Sequence, residues 1–161
     1  MESFEKMFRE SKGAPVTWNG TQIKLLESFK VIGPASFRLV FEYANQRWRQ
    51  GLIIRTDRGL IHGDQTQSKS VVIWEDQGRE LGFKTDPKTR RMDLNNIWDT
   101  GDGCMHSWHN GAAMIVEQVT PSIFRFRCND GQPNDDFDDL VFRLEIGAGT
   151  VAPEARPSTS S

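Results

Sequence analysis

Runs rich in β-branched and aromatic residues recur along the chain, and in several of them apolar and polar positions alternate with a period of two, which is how a strand with one buried and one wet face reads. In Phe124-Arg125-Phe126-Arg127-Cys128 the apolar and basic side chains take opposite faces. In Val141-Phe142-Arg143-Leu144-Glu145-Ile146, residues Phe142, Leu144 and Ile146 share one face, and Arg143 and Glu145 the other. The same reasoning predicts strands over Ile23–Ile32, Phe37–Tyr43, Arg49–Arg55, Ser70–Glu75, Glu80–Lys84, Asp93–Trp98, Ala112–Val119, Ile123–Cys128 and Leu140–Ile146. Turn residues punctuate them at Gly33-Pro34, Asp57-Arg58-Gly59, Asp76-Gln77-Gly78, Asp86-Pro87, Gly101-Asp102-Gly103 and Pro121-Ser122. The start has a different period. Phe4, Met7 and Phe8 fall at i, i+3 and i+4, which predicts a short helix over Ser3–Ser11, ended by Gly13-Ala14-Pro15. About nine short strands at this spacing predict an all-β fold, an antiparallel β-sandwich or jelly roll with a short N-terminal helix.

A chain of 161 residues suits one domain. The expected domain covers 1–146, with 1–17 as its helical segment. After Ile146 the sequence turns to Gly, Ala, Pro, Ser and Thr, so 147–161 is expected to be a disordered tail. The 20 basic and 22 acidic residues leave a net charge of -2, which argues against a nucleic-acid binder held by electrostatics. No apolar run reaches the roughly 20 residues that span a bilayer, so no membrane role is expected. The first residues lack the apolar core of a signal peptide, and the expected compartment is the cytoplasm. Cys104 and Cys128 make no disulfide framework; the expectation is two reduced thiols, although pairing is open on sequence alone.

The densest charge lies in Asn129-Asp130-Gly131-Gln132-Pro133-Asn134-Asp135-Asp136-Phe137-Asp138-Asp139, which holds five carboxylates and no basic residue between two strands. A hard cation would relieve their mutual repulsion, and calcium takes oxygen ligands from such Asp/Asn/Gly loops. Asp130, Asp135, Asp136, Asp138 and Asp139 are therefore candidate ligands. The spacing is not that of an EF-hand. The stretch Asp136-Phe137-Asp138-Asp139-Leu140-Val141-Phe142 resembles the acidic loop that runs into the last strand of some bacterial β-sandwich domains thought to bind calcium. The resemblance is confined to this C-terminal stretch. It implies that Asp136, Asp138 and Asp139 are ligands and that Phe137 and Leu140 anchor the core. The competing reading is a solvated turn, with Asp138 or Asp139 bonded to backbone amides or paired with Arg125 or Arg127.

The second dense segment, Ile97 to Gly111, holds Trp98, Asp99, Asp102, Cys104, His106, Trp108, His109 and Asn110. Three chemistries compete there with a plain core-and-connection reading. Cys104, His106 and His109 have ligand atoms for zinc, but the spacing matches no standard site and no second CxxC pair completes it. Asp99, Asp102, His106 and His109 are candidate acid/base catalysts, since a His beside a carboxylate titrates near neutrality. Trp98 and Trp108 are a candidate platform for a sugar ring, with Asn110, Asp99 and His109 as hydrogen-bonding neighbours. Arg47, Trp48, Arg49, Arg55 and Arg58 form a basic patch that suits an anion or an acidic partner, or simply a wet strand face. Phosphate loops, G-x-S-x-G and H-E-x-x-H are all missing, which lowers the case for the common enzyme classes. The leading expectation is a small binding module, calcium-dependent in one version, for a carbohydrate or other polyol. The alternatives are a protein-interaction module such as an inhibitor or immunity protein, and an enzyme using the Asp99–His109 loop.

Overall fold

The computed structural model describes residues 3–62, 66–108, 111–131, 136–154 and 159–160. The helix forms where the apolar spacing places it. Helix α1 spans Phe4–Glu10, Ser3 Oγ caps it by accepting from the Lys6 amide at 3.2 Å, and it buries Phe4, Met7 and Phe8. Lys12 and Gly13, at φ 57° and 83°, then turn the chain out of the helix. No helix among the described residues is long and apolar enough to cross a membrane.

The rest is β. The strands are β1 (Val16–Trp18), β2 (Thr21–Ile23), β3 (Glu27–Ala44), β4 (Arg49–His62), β5 (Thr66–Trp74), β6 (Glu80–Thr85), β7 (Arg91–Asp99), β8 (Ala113–Thr120), β9 (Ile123–Asn129), β10 (Leu140–Pro153) and β11 (Thr159–Ser160). Strands β11, β1 and β2 make a small sheet. The other eight form one strongly curved, barrel-like sheet in the order β5-β4-β6-β3-β10-β9-β8, with β7 pairing both β3 and β4. The all-β expectation holds; the structure has a barrel-like sheet where a sandwich or jelly roll was expected.

The long strands explain the curvature. Residues 27–30 of β3 pair with β7, and residues 36–40 pair with β6. Likewise 49–56 of β4 pair with β7 and 60–62 with β6. Each strand thus changes partner midway, at Gly33-Pro34 in β3 and at Asp57-Arg58-Gly59 in β4. Those residues read as turns in the sequence, yet both strands run through them. Local hydrogen bonds replace the lost ladder: Ala35 N donates to Thr85 Oγ1 at 3.1 Å, and Gly59 N donates to Thr56 Oγ1 at 2.8 Å.

The tail is a second difference. Residues 147–153 continue β10 and pair with the first half of β3, from Ala148 opposite Ser36 to Pro153 opposite Phe29. The glycine-rich composition serves a close approach there. At Gly149, φ is 89° and a Cβ would lie 2.7 Å from the Pro34 carbonyl oxygen. The expected tail residues 155–158 lie outside the described residues.

Two cores result. The inward faces of the large sheet bury Phe29, Leu39, Leu52, Ile54, Leu94, Phe126, Phe142 and their neighbours. A second cluster joins Phe4, Met7 and Phe8 of α1 to Val16, Ile23, Ala113 and Phe137. Phe137 comes from the acidic loop, with its ring centroid 5.9 Å from that of Phe4 and 6.0 Å from that of Trp18. The loop is therefore fastened to the N-terminal segment by an apolar anchor.

Candidate functional site at the polar end of the barrel

One end of the sheet gathers the β3–β4 connection, the end of β7 and the acidic loop. Inward positions there continue the core alternation with polar residues. Gln50 follows the phase of Leu52 and Ile54 on β4, and Asn96 lies between Leu94 and Trp98 on β7. All of them are buried, as are Asn129, Asp130 and Asp139. Buried polar groups require partners, and these find them across the barrel. Asn96 Nδ2 donates to the Asn129 carbonyl at 2.9 Å, and Gln50 Nε2 donates to Asp130 Oδ2 at 2.8 Å.

Asp139 is the hub. Its Oδ1 accepts from Asn45 Nδ2 at 2.6 Å and Arg47 Nη2 at 3.2 Å, and its Oδ2 accepts from the Asp130 amide at 3.0 Å. The backbone joins in, since Asn45 N donates to the Asp139 carbonyl at 2.8 Å. Burial pushes the Asp139 carboxyl above the ordinary aspartate range, and the neighbouring Asp130 charge adds to the rise. The Asp130 amide and the Asn45 side chain pull in the opposite direction. The same burial raises the thiol of Cys128, with the Asp139 charge as a second cause. Cys128 is a buried free thiol and Cys104 an exposed one.

The five carboxylates thus divide. Asp130 and Asp139 are buried and bonded to protein donors, while Asp136 and Asp138 are exposed. Asp135 lies outside the described residues. Asn129 Oδ1 accepts from the Phe137 amide at 2.7 Å, which holds Phe137 at φ 55° so that its ring turns into the second core. Among the described residues no group of three or more His, Cys, Asp and Glu side chains is placed to hold a metal ion.

The tryptophans divide as well. Trp98 is 2% exposed. Its ring stacks on Trp48 on one hand, with centroids 6.4 Å apart, and on His106 on the other, also at 6.4 Å. Gly131 packs against its edge so closely that a Cβ would lie 2.9 Å from Trp98 Cζ2. Trp108 is on another surface, 43% exposed. It donates Nε1–H to the Leu25 carbonyl at 3.1 Å and has the Arg55 guanidinium 5.9 Å from its ring centroid. Trp98 and Trp108 therefore do not form one platform. Asn110 and His109 lie outside the described residues.

In the Asp99–Trp108 loop the polar groups serve the turn. Asp99 Oδ1 accepts from the amides of Gly101 at 2.8 Å and Gly103 at 3.2 Å. Asp102 Oδ1 accepts from the Cys104 amide at 2.9 Å, and its Oδ2 lies 3.2 Å from His106 Nε2. These contacts, the Cys104 amide foremost, hold the Asp102 carboxyl below its ordinary range. His106 is fixed further by a two-bond bridge to the backbone of Trp98. The Asp102–His106 pair is thus within hydrogen-bond reach, on an exposed turn.

Between this loop and the β3–β4 connection lies a cavity of about 360 Å³. Asn45, Arg47, Trp48, Arg49 and Gln50 line one side, and Glu75, Asp76, Asp99 and Gly101 the other. Arg49 forms a fork to Asp76, at 2.8 and 3.0 Å, and its guanidinium stands 4.4 Å over the Trp74 ring. Two arginines of the basic patch seen in the sequence are thus tied to carboxylates, Arg49 to Asp76 and Arg47 to Asp139, while Arg55 donates to Asn95 Oδ1 at 3.0 Å. Gln50 matters for a different reason. It is 2% exposed, it lines the cavity, and its Oε1 has no hydrogen-bond partner. Sequence reading passed over Gln50 and Asn45. The signal for Gln50 was present in its phase with Leu52 and Ile54; nothing comparable marks Asn45.

The chain matches no protein-family model, and neither a curated protein nor a solved structure is significantly similar to it.

Proposed function

We propose that the chain is a small ligand-binding module whose site is the cavity beside Trp48, taking a carbohydrate or similar polyol. The observation that carries this reading is the combination in one cavity of a half-buried tryptophan, hydrogen-bonding groups of both signs and an unpaired buried acceptor on Gln50. A polyol suits such a lining. Its C–H faces pack on an indole, and each hydroxyl both donates and accepts, so it can meet carboxylates, guanidiniums and amides alike. The platform moves from the Trp98–Trp108 pair of the sequence reading to Trp48, because Trp98 is buried. Calcium is not needed in this reading, since the oxygens of Asp139 already accept from Asn45, Arg47 and the Asp130 amide.

The test is calorimetric titration of the protein with a panel of monosaccharides and short glycans, with and without calcium, beside Trp48→Ala. Binding by the wild type that is lost in Trp48→Ala and unchanged by calcium supports the proposal. Binding retained by Trp48→Ala overturns it.

A further inference from the structure

The charges lining the cavity beside Trp48 narrow the class of ligand, on the premise that this cavity is the binding site. Three carboxylates line it, from Glu75, Asp76 and Asp99, against the two guanidiniums of Arg47 and Arg49. Both guanidiniums already face a carboxylate of the chain. Arg49 is engaged by both oxygens of Asp76, and Arg47 reaches Asp139 at 3.2 Å. Glu75 and Asp99 line the cavity as well; Asp99 has one oxygen bonded to the turn amides and adds to the negative field at Arg49. Gln50, another lining residue, has a buried side-chain oxygen, Oε1, without a hydrogen-bond partner. Carboxylates thus outnumber guanidiniums in the lining by three to two.

We infer that the site selects ligands that donate hydrogen bonds and carry positive charge, an amino sugar or other amine-bearing polyol, over their neutral and acidic counterparts. An ammonium group supplies three donors and no acceptor. Set beside Glu75 and Asp99 it meets opposite charge, and the Trp48 indole adds attraction for a cation near its face. A carboxylate in the same place faces like charge and competes with Asp76 and Asp139 for arginines that are already bonded.

Proton–nitrogen correlation spectra of the ¹⁵N-labelled chain, titrated at low salt with glucosamine, glucose and glucuronic acid, test this. The three probes share a pyranose ring and differ in charge. Glucosamine is expected to bind about fivefold more tightly than glucose, the upper end of what a partly exposed ion contact supplies, and glucuronic acid most weakly. The preference should shrink as salt is added. Glu75→Gln and Asp99→Asn each keep one acceptor oxygen and remove the charge, so the preference for glucosamine over glucose should fall in each. Equal or tighter binding of glucuronic acid overturns the inference and leaves the cavity's role as a polyol site standing. A glucosamine preference unchanged in both variants also overturns it. If none of the three probes moves the Trp48 indole N–H signal, the inference and the reading it rests on both fail.

Discussion

Truncating Asp139 to alanine tests whether the acidic loop closes the barrel. The substitution leaves the fully buried Asp130 amide without its acceptor and strips Asn45 Nδ2 of a 2.6 Å bond. A buried donor left unpaired costs about 1–3 kcal/mol. Arg47 is largely exposed and regains water, so its loss counts for little. Removing a buried carboxylate beside Asp130 returns part of the cost, because burial and the neighbouring charge both oppose its ionisation. The expected net loss is about 2–3 kcal/mol, which in a chain of this size lowers the melting temperature by roughly 5–10 °C. Asp138→Ala, at the preceding but exposed residue, should stay within about 0.5 kcal/mol of the wild type. Urea unfolding followed by tryptophan fluorescence, with equal slopes for all three proteins, measures both. An Asp139→Ala protein as stable as the wild type, or an Asp138→Ala protein equally damaged, refutes the division of the loop into buried closure and exposed rim.

Three further outcomes follow from the same geometry. Because the Asp139 carboxyl is raised in the folded state, the native protein holds its proton more tightly than the unfolded chain does. Its contribution to stability is therefore complete below the ordinary aspartate value of 3.8 and is lost as pH rises through the raised folded value. Asp130→Asn removes the opposing charge and keeps an acceptor for Gln50, so its stability relative to the wild type should improve with rising pH across that window; a pH-independent difference contradicts this. Gly149→Ala must place a Cβ 2.7 Å from the Pro34 carbonyl at φ 89°, and should cost about 1–3 kcal/mol in the same urea assay. Phe137→Ala removes the anchor between the acidic loop and α1 and should cost about 3–5 kcal/mol. In hydrogen exchange it should also loosen residues 4–10 while the β3–β10 ladder stays protected.

How far the sequence was legible depends on range. Local signals were reliable where one residue pattern implied one element. Phe4, Met7 and Phe8 marked α1, and the alternation of Phe124–Cys128 and Val141–Ile146 marked β9 and much of β10. What the sequence hid was partner exchange. Gly33-Pro34 and Asp57-Arg58-Gly59 have turn chemistry, but here they bend continuous strands where the neighbour changes from β7 to β6. Gly147 and Gly149 have the composition of a loose tail, yet Gly149 is small because β3 passes directly over it. The site was half legible for the same reason. Charge density pointed to Asp130–Asp139 and aromatic crowding to Trp98, and both lie at the polar end of the barrel. Which faces they present depends on contacts from distant segments: Trp48 and His106 cover Trp98, and Asn45, Arg47 and Gln50 engage the two buried aspartates. Gln50 alone carried a usable sequence signal, a polar residue in phase with Leu52 and Ile54.

The location of the site is the central claim, and the indole N–H signals of the five tryptophans report on it directly. Assigned spectra recorded while a glycan that binds is titrated in should show Trp48 and the Gln50 side-chain amide shifting together along one saturating curve, with Trp108 unmoved. Movement of Trp108 while Trp48 and Gln50 stay fixed would place binding at Trp108 and contradict the account.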